Sequence, residues 1–182
     1  MISTDTTGQC CYARHDPSLT HTAVGQPSPQ QAEAFSFVVE RIREVMDDWG
    51  QGPEVFGLIH GDLGVDANLF FWHGEPRAID FDDSGYGYWA FDLAVALDAC
   101  RDDPSYSLYR EALLNGYAEF RSLSKKQAEQ VELFLAGLQV CWNLWAIGGT
   151  HLHPRLRKEY AERIARTSDF VVHYARQKSD LI

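Results

Sequence analysis

The sequence predicts an α+β fold that is predominantly helical, and three observations support this prediction. Apolar residues recur at helical spacing along most of the chain after residue 28. One short stretch, residues 68–81, holds two strand-like runs on either side of a turn-forming tetrapeptide, which predicts one small β-hairpin. The 182 residues are 45% hydrophobic and 13% aromatic, which is the composition of a globular protein with a sizeable core.

The chain divides into two regions by its periodicity. Residues 1–27 are rich in Thr, Ser, Gln, Gly and Pro and show no apolar repeat, so we expect a loose N-terminal arm. Residues 28–182 carry helical periodicity and contain no internal repeat. We therefore expect this second region to form a single domain.

The first helix is predicted over residues 29–49. Ser28 and Gln31 fit a reciprocal capping box, and Pro29 suits the first helical position. Gly50 follows the last apolar residue of the pattern and predicts the end of the helix.

The central β element follows the first helix. An apolar run at residues 55–59 predicts a short strand, and residues 68–72 and 77–81 predict a hairpin joined by the turn sequence HGEP. Antiparallel pairing of these two strands brings Asp80 back beside Asn68.

Helices account for the rest of the chain. Two are predicted over residues 88–100 and 105–120. A third is predicted to begin at a capping box at Ser124 and to end at Gly148, and a fourth covers residues 154–177.

Two motifs in this region have alternative interpretations. Residues 85–90 read GYGYWA and match the GxGxxA pattern of dinucleotide-binding loops, but no alternating strands and helices follow, so we do not predict that fold. Trp142 and Trp145 lie on the apolar stripe of the third of these helices, which predicts core positions. The alternative is that they line a pocket for a cationic substrate by cation–π contact.

The net charge of −10 restricts the partners. An acidic surface disfavours nucleic acid and anionic membranes, and it favours metal ions or cationic ligands. No uninterrupted apolar run reaches about 18 residues and no signal peptide opens the sequence, so we expect a cytoplasmic protein without a membrane partner.

Polar residues surround the predicted hairpin in a pattern that indicates a divalent-cation site. The sequence HGD ends at Asp62 just before the hairpin, Asn68 opens it, and Asp80 closes it. Amide and carboxylate oxygens such as those of Asn68 and Asp80 are ligands that Mg²⁺ accepts. A further carboxylate that holds no metal, such as Asp62, can act as a base toward a hydroxyl.

Four motifs in this order resemble the aminoglycoside phosphotransferase and choline kinase family, which is related to protein kinases. They are HGDL at residues 60–63, Asn68, IDFDD at residues 79–83 and DLA at residues 92–94. The resemblance covers roughly residues 28–178 and implies the C-terminal lobe of a kinase-like fold. It implies transfer of a phosphoryl group to a hydroxyl of an aminoglycoside-, choline- or homoserine-like small molecule, with Mg²⁺ and ATP (or GTP) as cofactors.

The resemblance also implies a role for each site residue. Asp62 resembles the catalytic base, and Asn68 and Asp80 resemble the Mg²⁺ ligands that bridge the nucleotide phosphates. His60 would brace the catalytic loop and Asp92 would tie that loop to the following helix. Asp82 is a further candidate metal ligand through water, with simple solvation as the alternative.

Two features depart from the family pattern. Asn68 lies six residues after Asp62, whereas the family usually has five, so either a bulge absorbs the extra residue or Asn68 is displaced. An N-terminal lobe needs on the order of 80–100 residues, and only 27 residues without any Lys precede the first predicted helix. We therefore expect the N-terminal lobe to be absent from this chain.

Two function hypotheses remain open at this point. One is a phosphotransferase whose missing lobe comes from a homo-oligomer or a partner chain. The other is a catalytically inactive kinase-like binding or regulatory module.

Overall fold

The structure, a computed structural model, describes residues 27–152 and 157–178, so all but the last residue of the predicted N-terminal arm lies outside it. Five helices and four short strands are described. They are, in chain order, α1 (Pro29–Trp49), β1 (Phe56–Ile59), β2 (Leu69–Trp72), β3 (Glu75–Ala78), β4 (Gly85–Tyr88), α2 (Trp89–Asp98), α3 (Tyr106–Phe120), α4 (Lys125–Leu152) and α5 (Arg157–Lys178). This element content confirms the α+β, predominantly helical prediction.

The described residues form two compact units. The first unit contains Met46–Leu135, and the second contains residues 27–45, 136–152 and 157–178. The boundaries fall inside α1 and α4, so each of these helices contributes residues to both units. The single domain expected for residues 28–182 stays a prediction.

The two predicted capping boxes are present. The Ser28 and Gln31 backbone amides donate to the Gln31 and Ser28 side chains, at 2.8 and 3.3 Å. The Ser124 and Gln127 amides make the same exchange at 2.7 and 3.1 Å. Each box provides hydrogen-bond acceptors for backbone amides that have no partner within the helix. Because these bonds join residues that are close in sequence, the sequence predicted both helix starts.

The first unit contains two separate two-stranded antiparallel sheets. In one of them β1 pairs with β4, with Phe56 opposite Tyr88 and Ile59 opposite Gly85. Strand β4 was not predicted, because its two glycines disfavour a strand and its partner is distant in sequence. The prediction of a single small β element was therefore incomplete.

The other sheet is the predicted hairpin with a tighter turn. Strands β2 and β3 pair with Trp72 opposite Glu75, so the turn is His73–Gly74 alone. Both turn residues have positive φ, 51° and 83°, which is the requirement of a two-residue hairpin turn. The expected second strand, residues 77–81, was placed too late, because Glu75 and Pro76 belong to the strand and the strand ends at Ala78.

The core of the first unit is built around α2. This helix buries most of its residues, among them Phe91, Leu93 and Leu97. Beside it, the ring of Phe134 lies 5.8 Å from that of Trp49 and 6.0 Å from that of Tyr88. Burial of these large rings contributes much of the apolar area removed from water in this unit.

Helix α4 differs from its prediction in two ways. It continues through Leu152 and does not end at Gly148, because a glycine lowers helix stability by only about 1 kcal/mol. Trp145 was expected in the core, but 55% of it is exposed. Within the described chain, Lys125–Gly148 is long and apolar enough to cross a membrane, yet 61% of this window is buried, as in the core helix of a soluble protein.

Candidate active site

The loop that follows β1 is held by one carboxylate. The backbone amides of His60 and Gly61 donate to Oδ2 and Oδ1 of Asp92, both at 2.8 Å. Asp92 lies in the first turn of α2, so the start of this helix and the end of β1 meet at this carboxylate. The paired bonds orient the peptide that precedes Asp62.

Gly61 is the residue that lets the loop turn. Its φ is +84°, and a Cβ at this position would lie 2.5 Å from the backbone oxygen of Asp83. The turn therefore needs a residue without a side chain for two reasons, backbone conformation and space. The close approach brings the segment around Asp83 against the loop that carries Asp62.

His60 connects the same two segments through its ring. It is 7% exposed, and its Nε2 lies 2.9 Å from the carbonyl oxygen of Ile79. The backbone amide of Asp62 donates to Nδ1 at 3.3 Å. The carbonyl of Ile79 is an acceptor for Nε2, and Nδ1 is the acceptor for the Asp62 amide, so the ring holds both segments through its two nitrogens. The ring of Phe81 lies 4.7 Å from it.

Asn68 reaches Asp62 in spite of the extra residue between them. Its Nδ2 donates to the backbone oxygen and to Oδ2 of Asp62, each at 2.9 Å. A turn absorbs the additional residue, with the amide of Asn68 donating to the oxygen of Gly64 at 3.0 Å. The amide oxygen Oδ1 is thus the atom of Asn68 that points away from these bonds, and it has the chemistry of a metal ligand.

Asp80 follows directly after the hairpin. The amide of Ile79 donates to the oxygen of Asn68 at 3.0 Å, so the strand pairing brings Asp80 next to Asn68 along the ladder. Asp80 is exposed and has a φ of 60°. This left-handed conformation costs a non-glycine residue free energy, and such residues cluster at functional sites.

Asp83 contacts the site although the sequence analysis gave it no role, and the role of Asp82 stays a prediction. Both are exposed, and no described hydrogen bond joins the side chain of Asp82 to the site. Asp83, which the sequence analysis left out, packs its backbone against Gly61 and acts on Asp62 electrostatically. Only its position in the run of acidic residues after Ile79 could have indicated it.

The pKa of Asp62 is raised above its ordinary value. Burial is the largest cause, followed by the negative charge of Asp83 and, more weakly, that of Asp80. The hydrogen bond from Asn68 and the proximity of His60 lower the pKa and oppose these effects in part. The net result is a carboxylate that holds a proton more readily than one in water.

The oxygen donors fit a metal ion that is shared with phosphate. No group of three or more His, Cys, Asp or Glu side chains able to hold a metal occurs among residues 27–152 and 157–178. Asn68 and Asp80 instead supply an amide oxygen and a carboxylate, and Mg²⁺ commonly takes one or two protein carboxylates plus phosphate and water. This donor set suits such an ion and does not form a closed protein cage.

Known proteins with a similar sequence are small-molecule kinases. The homoserine kinase of Acidiphilium cryptum is 33% identical over 87 residues, which cover 46% of this chain and 27% of that protein. Human ethanolamine kinase 1 is 30% identical over 127 residues, covering 58% of this chain and 27% of that protein. The chain spans about a quarter of the length of these relatives.

Solved structures share the fold. A microcompartment-associated aminopropanol kinase superposes with a TM-score of 0.69 at 23% identity, over 82% of this chain and 46% of that one. An amicoumacin kinase in complex with AMP-PNP and Ca²⁺ gives a TM-score of 0.59 at 20% identity, over 93% of this chain and 57% of that one. These matches confirm a kinase-like fold that corresponds to about half of each solved chain.

The family match covers the site itself. Residues 6–126 match the model of the phosphotransferase enzyme family, and this range contains the loop after β1, the hairpin and α2. It extends over well over half of the 182 residues, so the resemblance seen in the four motifs is confirmed: this chain belongs to the phosphotransferase enzyme family.

Proposed function

We propose that this chain carries the base and the metal-binding residues of a kinase that transfers a phosphoryl group from ATP (or GTP) to the hydroxyl of a small amino alcohol. The contact of Asn68 with both the carboxylate and the backbone of Asp62 is the main support, because it joins the base to the metal-binding side of the site. Homoserine, ethanolamine and aminopropanol, named for the similar kinases, each carry an amine and a hydroxyl.

Asp62 is the proposed base. Asn68 bonds Oδ2, which leaves Oδ1 for the hydroxyl of the acceptor. The raised pKa makes this carboxylate a better proton acceptor than an exposed one, since a general base works best when its pKa approaches the working pH. His60 and Asp92 fix the loop from both sides, so that Asp62 is held in position before the acceptor arrives.

Asn68 and Asp80 are the proposed Mg²⁺ ligands, through Oδ1 and a carboxylate oxygen. A bound Mg²⁺ supplies neutralisation of phosphate charge in such a site. Asp82 is exposed two residues after Asp80 and remains a candidate for a contact through water.

The charge of the site supports an acceptor with an amine. Asp62, Asp80, Asp82 and Asp83 lie within a short stretch on two neighbouring segments, and the chain as a whole carries a charge of −10. A cationic ammonium group gains favourable electrostatic energy there, while an anionic acceptor is repelled.

Binding of Mg-ATP to the whole chain tests the proposal. Calorimetry should give a Mg²⁺-dependent binding signal that Asp80→Ala weakens at least about tenfold, because the variant removes the carboxylate ligand of the ion. Asp47→Ala is the matched control, since Asp47 is exposed on the last turns of α1. It should bind as the wild type does.

Two results would contradict the proposal for this chain. One is the absence of binding up to millimolar nucleotide, and the other is equal binding by Asp80→Ala and the wild type. Binding without any phosphoryl transfer to amino alcohols would favour the inactive binding module.

We also propose that a second copy or a partner chain covers an apolar surface near the site, and that the protein is cytoplasmic. The hairpin surface, defined as Phe70, Phe71 and Trp72, exposes 43%, 67% and 61% of these three residues. Phe70 and Trp72 lie on one face of β2 and Phe71 on the other, and large exposed apolar side chains commonly mark an interface.

A further inference from the structure

The first unit contains a buried hydroxyl whose hydrogen bonding the described residues do not account for. The side-chain oxygen of Tyr117, on α3, is buried and has no hydrogen-bond partner among the described residues. Buried hydroxyls nearly always make at least one hydrogen bond, to protein or to an ordered water. Leaving one without a partner costs free energy, because the hydroxyl loses its bonds to water. Tyr117 therefore calls for an acceptor close to its ring.

The packing of α3 on α2 indicates which acceptor this is. One turn after Tyr117, the guanidinium of Arg121 lies 4.1 Å from the ring centre of Trp89 and donates to the oxygen of Pro53 at 3.1 Å. Trp89 is the first residue of α2, and Asp92 lies three residues further on, where side chains share a face of the helix. Arg121 and Trp89 are thus neighbours, Tyr117 lies one turn before Arg121 on α3, and Asp92 lies one turn after Trp89 on α2. If the two helices run antiparallel, this register predicts that Tyr117 faces Asp92.

The electrostatics of Tyr117 agree with this placement. Burial is the main cause that raises the pKa of Tyr117, and the positive charge of Arg121 lowers it. The remaining cause is the negative charge of Asp92, which raises the pKa further.

Asp92 has the capacity to accept a further proton donor. Its two oxygens receive one backbone amide each, from His60 and Gly61. A carboxylate offers about four lone-pair positions, so about two remain. The Tyr117 hydroxyl is a donor without an acceptor, and the Asp92 carboxylate can accept a further hydrogen bond.

We propose that Tyr117 is a positioning residue for the catalytic loop, and that its hydroxyl donates to the carboxylate of Asp92 through one buried water. The water is needed because no direct bond joins the two groups, and a polar site between a hydroxyl and a carboxylate is one that holds water. The bridge restrains Asp92, which in turn restrains the amides of His60 and Gly61. The effect on catalysis rests on the proposed kinase function, whereas the restraint on the loop does not.

Amide hydrogen exchange tests the bridge without requiring any enzymatic activity. In Tyr117→Phe, exchange of the His60 and Gly61 amides should accelerate about three- to tenfold, because Asp92 loses one of its restraints. Tyr106→Phe is the matched control, since it removes a hydroxyl from the same helix that donates to Glu132 at 2.7 Å. That variant should leave the two amides unchanged.

A double-mutant comparison separates this bridge from general loosening. In an Asp92→Asn background, adding Tyr117→Phe should change the exchange of His60 and Gly61 little further, since both act through one carboxylate. Unchanged exchange in Tyr117→Phe would overturn the proposal. Equal acceleration of the β2–β3 amides, or additive effects in the double mutant, would overturn it too.

If the chain is active, Tyr117→Phe should lower kcat and leave KM for the acceptor unchanged, because the hydroxyl positions the loop and does not touch the substrate. A lowered kcat together with accelerated exchange supports the proposal. Absence of activity in the wild type contradicts the kinase function alone and leaves the exchange test decisive for the bridge.

Discussion

At the scale of single residues, Asp62 links the proposed chemistry to folding stability. Its pKa in the folded state is raised above the ordinary value of 3.8, chiefly by burial and by Asp83. Protonation of Asp62 therefore favours the folded state. Its favourable contribution is fully present below pH 3.8 and is lost as the pH rises through the folded-state pKa. At neutral pH the folded protein holds a carboxylate that opposes folding.

We predict that Asp62→Asn is more stable than the wild type at pH 7. The neutral amide removes the cost of burying a charge beside Asp83 and Asp80, while its oxygen can still accept from Asn68. Thermal unfolding between pH 4 and pH 8 should show an advantage that shrinks toward low pH. Asp66→Asn, an exposed change in the same loop, is the control. A variant less stable than the wild type at pH 7 would contradict the prediction.

Gly61 provides a second residue-scale prediction, with a control inside the same unit. Gly61 and Gly74 have φ of +84° and +83°, but a Cβ meets the Asp83 backbone only at Gly61, and nothing lies within 4 Å at Gly74. Gly74→Ala should cost about 1 kcal/mol for backbone conformation alone. Gly61→Ala should cost about 2–4 kcal/mol, because the Asp83 segment must also move.

Urea unfolding of both variants measures this difference directly. Equal losses of stability would mean that the segment around Asp83 yields easily, and would contradict the close approach at Gly61.

Sequence reasoning singled out residues that the structure brings into contact, but not the charges that act on Asp62. The bonds of Asp92 and the contact of Asn68 with Asp62 connect residues that the motifs had already singled out. Asp83 was missed because its influence depends on the left-handed turn at Gly61, which no hydrophobic pattern encodes.

At the scale of elements, local signals predicted local structure. The start of α1 at Pro29 and the start of α4 at Lys125 follow from capping boxes, whose bonds span three residues. Strand β4 depends on pairing with β1 across some thirty residues and its two glycines disfavour a strand, so its sequence alone did not predict it. The end of α4 was misplaced because glycine only weakens a helix.

Two helix glycines should respond in opposite ways to the same change. At Gly116 in α3, nothing lies within 4 Å of an added Cβ, so Gly116→Ala should stabilise the protein by about 0.5–1 kcal/mol. At Gly137 in α4, the Cβ would lie 2.3 Å from Cδ1 of Ile42 on α1. Gly137→Ala should therefore lose this gain and destabilise by about 1 kcal/mol.

Replacing Ile42 checks the cause of that loss. Ile42→Val removes the atom in question, so the pair of changes should be less destabilising than the sum of the two single changes. Equal stabilisation by Gly116→Ala and Gly137→Ala in denaturant unfolding would show that Ile42 moves aside without cost.

At the scale of the whole molecule, net charge and exposed apolar surface act against each other. Two copies that each carry a charge of −10 repel, while burial of the hairpin surface, Phe70, Phe71 and Trp72, favours association. Salt screens the repulsion, since the Debye length falls from about 10 Å at 0.1 M to about 3 Å at 1 M, and leaves hydrophobic burial largely intact.

Self-association through the hairpin surface should therefore strengthen with ionic strength. Sedimentation of the whole chain should give a dissociation constant that falls several-fold between about 0.05 and 0.5 M salt. Replacing Phe71 and Trp72 by Thr should weaken association and keep strand propensity, whereas Phe120→Thr, a change at a residue 92% exposed at the end of α3, should not. A monomer under all these conditions would exclude a homo-oligomer through this surface. Partner chains with basic surfaces would then be the candidates to test. Their binding should weaken with salt, because salt screens the attraction between opposite charges.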